Sequence, residues 1–412
     1  MFRSILPVFA LLRGTAFLLA ANGLHGLLLP LRGQAEGFAT TALGLLGAAW
    51  ATGFVLGCIY APLLIMRVGH VRALGAFCSL LAVIALLTGM VIDAWVWIAL
   101  RAFTGFFIAG AFMIIESWLN EQSSNESRGT VFGLYMLVSL GSLTAGQLAV
   151  VWGDVAGANL FMLAGIFYCL ALLPTAVSTA ASPKPLNQVR LNLRKLFAVS
   201  PVAFVACFLI GVANGAWGTL GPVYGVATGV STSAVAIMMS VTVVAGAVLQ
   251  MPLGRLSDRM DRRYVLAGVS VLGMVVGIAL LFWRPAGETA IIATAGVYGA
   301  FAFSLYSIAV AHANDHATPG AFIEVSGGLL LLYGLGTVAG PMAGSAVMEF
   351  SGPVALFAVT AFAHALIAAY AIYRTYRRNP VPVEEREEFR VIATNRALTP
   401  EAIRLDPRVE DK

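Results

Sequence analysis

Residues 21–30, Ala-Asn-Gly-Leu-His-Gly-Leu-Leu-Leu-Pro, return at residues 213–222 as Ala-Asn-Gly-Ala-Trp-Gly-Thr-Leu-Gly-Pro. The copies align at a constant offset of 192, matching Asn22 with Asn214, Gly23 with Gly215, Gly26 with Gly218 and Pro30 with Pro222. The offset holds as far as Arg67 and Arg259, then grows only to 194, where Asn120-Glu121 falls on Asn314-Asp315 and Gly146 on Gly340. A chain that repeats at roughly 190 residues is a duplicated unit, and the fold of one copy must serve the other as well.

Each copy is too apolar for a water-soluble globule. Of the 412 residues 59% are hydrophobic and 11% charged, where soluble domains carry about a quarter charged. A helix needs about 20 apolar residues to cross a bilayer. Twelve such runs occur, at roughly 6–31, 41–65, 71–92, 95–119, 129–151 and 156–178 in the first copy and 200–224, 232–254, 264–283, 288–312, 322–348 and 353–375 in the second. The expectation is an all-α membrane protein with twelve transmembrane helices in two pseudo-symmetric six-helix bundles, 1–178 and 200–378. Residues 179–199, with Pro183, Pro185 and spaced cations, read as a cytoplasmic linker lying on the membrane surface. Residues 379–412 lack an apolar face and read as a cytoplasmic tail, largely disordered. The first run resembles a signal peptide, but its match to the internal run at 200–224 predicts a retained helix.

The net charge of +5 does not point to nucleic acid, because no basic cluster is interleaved with exposed aromatics. The cations fall instead in alternate connections. Fifteen Lys and Arg, from Arg3 to Arg378, lie on one side, and only Arg32 and Arg284 on the other. By the positive-inside rule both termini are cytoplasmic. Cys58, Cys78, Cys169 and Cys207 sit inside apolar runs without CxxC spacing and read as buried free thiols, so neither a disulfide nor a metal site is expected. No cofactor signature is present, and a monomer in the lipid bilayer is the expectation.

Ionisable and amide residues inside a membrane are costly and point to function. Arg101 lies about two turns into the fourth run, and Glu116 fifteen residues on. The two fall within about 60° of each other around a helix but about 22 Å apart along it, so they cannot pair. Arg101 reads as a solute contact or a snorkelling cation. Glu116 reads as a proton-coupling group or a residue at the cytoplasmic helix end. Asn22 and His25 share a face of the first run, as Asn214 and Trp217 do in the seventh. They are candidates to line a solute cavity, against the alternative that the asparagines join helices by hydrogen bonds. Arg13 reads as snorkelling, His364 as a satisfied packing histidine, and Glu324 as an N-terminal helix charge.

Two motifs carry a family resemblance. Gly254-Arg255-Leu256-Ser257-Asp258-Arg259-Met260-Asp261-Arg262-Arg263 resembles the loop between the second and third helices in each half of the major facilitator superfamily, and Arg101-Ala-Phe-Thr-Gly resembles that family's fourth-helix arginine signature. The resemblance spans residues 1–378. Within the family, Arg67–Arg72, Glu116–Asn120 and Leu256–Arg263 resemble the bacterial YcaD-type group. The resemblance implies a secondary transporter of a bacterial-type inner membrane working by alternating access, with the first, fourth, seventh and tenth helices lining the cavity. It also implies a cytoplasmic gate built on Asp258 with Arg67, Arg128, Arg259 and Arg262. Met66 stands where the first copy would carry the matching aspartate, so Asp258 is expected to act alone, near a helix start that favours a carboxylate by about 0.3 to 1 kcal/mol. Gly327, Gly336, Gly340-Pro341 and Gly344 match the family's glycine-proline spacing and imply a bent, closely packed helix.

The leading expectation is a transporter of a small organic solute, coupled to protons, since no GxxxxGK[ST] loop is present to use ATP. A lipid translocator or sensor on the same fold is the alternative. An enzyme is not expected, for HExxH, GxSxG and paired catalytic carboxylates are all missing.

Overall fold

A computed structural model describes residues 2–123, 127–176, 192–283, 285, 287–318, 321–382, 384, 386, 389 and 399–405, leaving out the side chains of residues 2–7 and 404. Among the described residues the chain forms helices and short 3-10 turns, with no strand. The first copy gives α1 (Phe2–Ala35), α2 (Thr40–Val68), α3 (His70–Met90), α4 (Ala94–Glu121), α5 (Arg128–Leu148) and α6 (Asn159–Ala176). A short α7 (Leu193–Val199) precedes the second copy. That copy comprises α8 (Pro201–Ala227), α9 (Thr232–Arg259), α10 (Arg262–Phe282), α11 (Glu288–Ala302), α12 (Leu305–Asn314), α13 (Phe322–Ser351) and α14 (Leu356–Thr375). Among the described residues twelve spans are long and apolar enough to cross a membrane, with α11 and α12 together making one. The duplicated twelve-helix membrane fold expected from the sequence is the fold observed.

The helix ends follow from local chemistry. Asp93, Ser200 and Ser231 each accept a hydrogen bond from the backbone N–H three residues on, at 2.9, 3.2 and 3.3 Å, satisfying a donor that the first helical turn leaves free. The two copies solve one such end differently. Asp261 caps α10 by accepting from Arg263 N, whereas its counterpart before α3 is Gly69 at φ 86°, a conformation glycine adopts without a Cβ penalty.

The chain divides into two compact units: Met1–Glu36, Ala49–Val189 and Arg396–Lys412 form the first, and Gly37–Ala48 with Arg190–Asn395 form the second. In the first, α1 packs on α5 and α6. A Cβ on Gly23 would fall 2.3 Å from the Leu143 carbonyl oxygen, and one on Gly146 2.1 Å from that of Ala20. In the second, α8 and α13 meet in the equivalent seam. A Cβ on Gly336 would fall 2.0 Å from the Phe208 carbonyl oxygen and one on Gly340 2.1 Å from that of Val212. Between membrane helices, close approach of this kind supplies the packing that apolar burial supplies in water. Gly344 lies against Leu220 and Ala216, Gly327 and Pro341 are buried, and α13 runs through Pro341 without interruption.

One expected helix is interrupted. The run at 288–312 breaks at Phe303–Ser304, between α11 and α12, and Gln250 of α9 spans the break. Its side-chain amide donates to the Phe303 carbonyl at 3.0 Å, and Ser307 Oγ donates to its Oε1 at 3.4 Å. The carbonyl that loses its helical partner thereby gains another, which a lipid-embedded helix requires.

The outward faces are apolar, as lipid contact demands, and Trp95, Trp152 and Trp283 stand exposed at the ends of spans, where amphipathic rings favour the membrane interface. The thiols correct one expectation. All four are free, but Cys169 is exposed and Cys58 half-buried, with only Cys78 and Cys207 buried. An apolar run does not reveal which side faces the protein when lipid covers the other.

Of the expected linker, residues 179–191 lie outside the described residues, and the remainder is the start of the second unit. Asn192 caps α7 by accepting from Lys195 N, and Lys195 pairs with Glu324 in the first turn of α13 at 2.7 Å. The tail also differs from expectation where it is described. Pro400–Leu405 forms a 3-10 turn in which Ala402, Ile403 and Leu405 are buried. These apolar side chains, too few for a span, are enough to seat a turn against α4 and α5.

Candidate functional site

In the first unit, Glu116 is fully buried on α4, five residues before the helix ends, so it does not serve as an end residue. Tyr135 of α5 donates its hydroxyl to Glu116 Oε1 at 2.7 Å. The Thr399 backbone N–H donates to the same oxygen at 3.4 Å, and the Thr399 hydroxyl is hydrogen-bonded to Oε2. Both carboxyl oxygens therefore have protein partners. About four turns earlier, Arg101 is 5% exposed, with its guanidinium 5.9 Å from the Trp50 ring centroid, a cation–π distance. Enclosed to that degree, it is not a snorkelling cation.

His25 of α1 is fully buried. Its ring meets Phe161 edge-on at 6.2 Å and Tyr168 at 6.4 Å between centroids, and Phe161 in turn meets Trp97 of α4 at 6.1 Å. The first, fourth and sixth helices thus converge on one aromatic cluster. Among the described residues neither ring nitrogen of His25 has a hydrogen-bond partner. Asn22 is buried at 6% exposure.

The second unit repeats the cluster with its members exchanged. Trp217 of α8 lies 5.8 Å from Phe357 and 5.4 Å from Tyr298, and Tyr298 lies 6.0 Å from His364. Phe161 and Phe357 are 196 residues apart, as are Tyr168 and His364, so histidine occupies the first-helix position in one copy and the sixth-helix position in the other. His364 is buried, but among the described residues neither ring nitrogen has a hydrogen-bond partner, which corrects its reading as a satisfied packing residue. A helix pattern gives the burial of such a ring and not its polar environment. Asn214 is buried at 2% exposure, and its side-chain oxygen and nitrogen have no hydrogen-bond partner among the described residues.

The loop between α9 and α10 is held by its arginines. Arg262, with a side chain 1% exposed, donates from Nε to Asp315 Oδ2 at 2.7 Å and from Nη2 to Oδ1 at 3.3 Å. Its Nη1 reaches Ser257 Oγ and Asp258 Oδ1, each at 2.9 Å. Arg263 donates to the Arg374 and Arg378 carbonyls at 2.9 and 2.7 Å, receiving the free carbonyls at the end of α14 as a cation there should. Burial pushes the Asp261 carboxyl up, but hydrogen bonds and charge from Arg263 outweigh it and hold the group below its usual range. Asp258 accepts from Arg262 and also from the Phe389 N–H, at 3.1 and 3.3 Å to its two oxygens. Of the remaining gate candidates, Arg128 is buried while Arg67 and Arg259 are exposed.

Sequence reasoning missed Tyr135, Asp315 and Thr399. Tyr135 was visible only as a polar ring in an apolar run. Asp315 aligns with Glu121, but no motif joins it to Arg262, and Thr399 carries no signal.

The model of the Major Facilitator Superfamily matches residues 11–241 and 226–408. An uncharacterised MFS-type transporter, YcaD, of Escherichia fergusonii is 26% identical over 358 residues, covering 86% of this chain and 92% of its own. The Salmonella typhi protein of the same name is 26% identical over 385 residues, covering 92% and 98%. Among solved structures, the nucleoside transporter NupG superposes with a TM-score of 0.72 at 14% identity, over 90% of this chain and 98% of that one. A bacterial homologue of the human lysosomal transporter Spinster, in an inward-facing and occupied conformation, gives 0.71 at 13% identity, over 92% and 97%. Matched along nearly its whole length by the family model, and carrying the duplicated twelve-span fold, the chain belongs to the Major Facilitator Superfamily of membrane transporters.

Proposed function

We propose that the protein is a proton-coupled secondary transporter of a small organic solute, working by alternating access in a bacterial-type inner membrane with both termini cytoplasmic. The observation that carries the coupling is Glu116, a carboxyl with no solvent exposure, hydrogen-bonded to Tyr135 inside a membrane span. An acid is costly there unless it has work to do. Arg101, a buried permanent cation over Trp50, suits an anionic or zwitterionic solute. In the first unit Asn22 and His25 join it as solute contacts, and in the second Asn214 and Trp217. The cytoplasmic gate rests on Asp258, with Arg67, Arg128, Arg259 and Arg262. A structural neighbour at a TM-score of 0.51 and 15% identity is the Escherichia coli fucose:proton symporter FucP, which supports this reading.

The experiment begins with thermal-shift screening of the purified monomer against metabolites and drugs, since a ligand at 100 times its dissociation constant adds about 2.7 kcal/mol. A stabilising solute is then added to proteoliposomes containing a pH-sensitive dye. Solute entry accompanied by proton movement, with both lost in Glu116→Gln, is the expected result. Solute flux indifferent to an imposed pH gradient and to Glu116→Gln would remove the coupling.

A further inference from the structure

The tail reaches two of the acids singled out above. In the second unit, the Phe389 N–H bonds both oxygens of Asp258, Arg386 Nη1 bonds the Met260 carbonyl at 2.5 Å, and a Cβ on Gly254 would overlap the Phe389 ring. In the first unit, Thr399 makes two of the three hydrogen bonds that Glu116 has among the described residues. The turn behind it is seated firmly: Thr399, Glu401, Ala402 and Leu405 are each no more than 2% exposed. The Glu401 N–H donates back to Thr399 Oγ1 at 3.3 Å, which fixes the hydroxyl that meets the carboxyl.

Proton exchange requires an acceptor or donor, or one intervening water, within hydrogen-bond reach of the carboxyl. Among the described residues both Glu116 oxygens are engaged by Tyr135 and Thr399 and the side chain is unexposed, so with the turn seated no solvent water reaches the carboxyl directly. We propose that residues 399–405 are an autoinhibitory plug, docked on α4 and α5, that must unseat before Glu116 exchanges protons with solvent. This regulation rests on the reading of Glu116 as the proton-carrying group, but the plug itself can be tested without transport.

The test reads the reactivity of Glu116 towards a water-soluble carbodiimide and an amine nucleophile, quantified by peptide mass spectrometry, with exposed Glu36 as the internal reference. Three proteins are compared in detergent: the full chain, the full chain carrying Leu405→Asp, which places a charge at a fully buried position of the turn, and a chain ending at Asn395. Glu116 is expected to label at least about tenfold faster in both variants than in the full chain. A synthetic peptide of residues 396–412 added to the shortened chain restores protection. Equal labelling in all three proteins overturns the plug, whether Glu116 is protected throughout or reactive throughout. Loss of a monodisperse protein in both variants also overturns it, because the turn would then be a fixed structural element. The outcomes separate from those of the coupling experiment. Exposure of Glu116 on unseating, with proton movement indifferent to Glu116→Gln, keeps the plug and removes the coupling. Unchanged labelling with proton movement lost in Glu116→Gln does the reverse.

Discussion

Replacing Arg262 by methionine isolates the strongest electrostatic contact described in the second unit. The Arg262 and Asp315 side chains are 1% and 2% exposed and share two hydrogen bonds, the shorter at 2.7 Å. Methionine preserves much of the volume of the side chain but leaves the Asp315 carboxylate buried without its guanidinium. Removing one partner of a buried pair costs about 3 to 5 kcal/mol, while replacing both by apolar residues of similar size is close to neutral. At about 1.4 kcal/mol per decade, the single substitution lowers the ratio of folded to unfolded protein by roughly two to three and a half decades. The Arg262 contact to Asp258 adds little, because Asp258 is 35% exposed and exposed pairs contribute about 0 to 1 kcal/mol. The assay is equilibrium unfolding of purified protein in detergent for the wild type, Arg262→Met, Asp315→Leu and the double variant. Both single variants lose stability, and the double variant recovers to within about 1 kcal/mol of the wild type, giving a coupling energy above about 2 kcal/mol. If the double variant is no more stable than the worse single one, the loss lies in packing, and the ion-pair reasoning fails.

Three further outcomes follow from the same geometry. Asp258→Asn changes stability by less than about 1 kcal/mol yet lowers transport in proteoliposomes; normal flux would remove it from the gate. Gly336→Ala, whose Cβ meets the Phe208 carbonyl at 2.0 Å, destabilises the protein by about 1 to 3 kcal/mol, while Gly26→Ala, with nothing within 4 Å, is neutral or stabilising by up to about 1 kcal/mol; thermal unfolding distinguishes them, and equal shifts would refute the seam. The Asp261 carboxyl, held below its ordinary value of 3.8, contributes stability that is complete above that value and lost as the pH falls through its lowered one; unfolding measured against pH should show a weaker acid-side loss in Asp261→Asn, and an unchanged acid limb would exclude the contribution.

The spans and the seams were legible because each is a local property repeated. Twenty apolar residues make a membrane helix wherever they occur, and Gly146 and Gly340 recur because both copies need close approach at the same level. Glu116 was legible as a charge in an apolar run. Its surroundings were not, since Tyr135 and Thr399 arrive from 19 and 283 residues away and nothing in a helical period records them. The family motif points to Arg262 as a gate residue, but its partner Asp315, 53 residues on, lies outside that motif. His25 and Trp217 stand out in the sequence because they differ between copies. That difference is real, but each ring lies within a buried aromatic cluster that only the folded unit reveals.

The interruption at Phe303–Ser304 has a mechanical consequence. The first copy carries its fourth span as a rod of 28 residues, while the second carries the equivalent span as pieces of 15 and 10. A bending load travels through the former as through a single beam, but is absorbed in the latter at a joint steadied by one glutamine amide. The ancestral symmetry survives in outline, and stiffness is where the twins have parted.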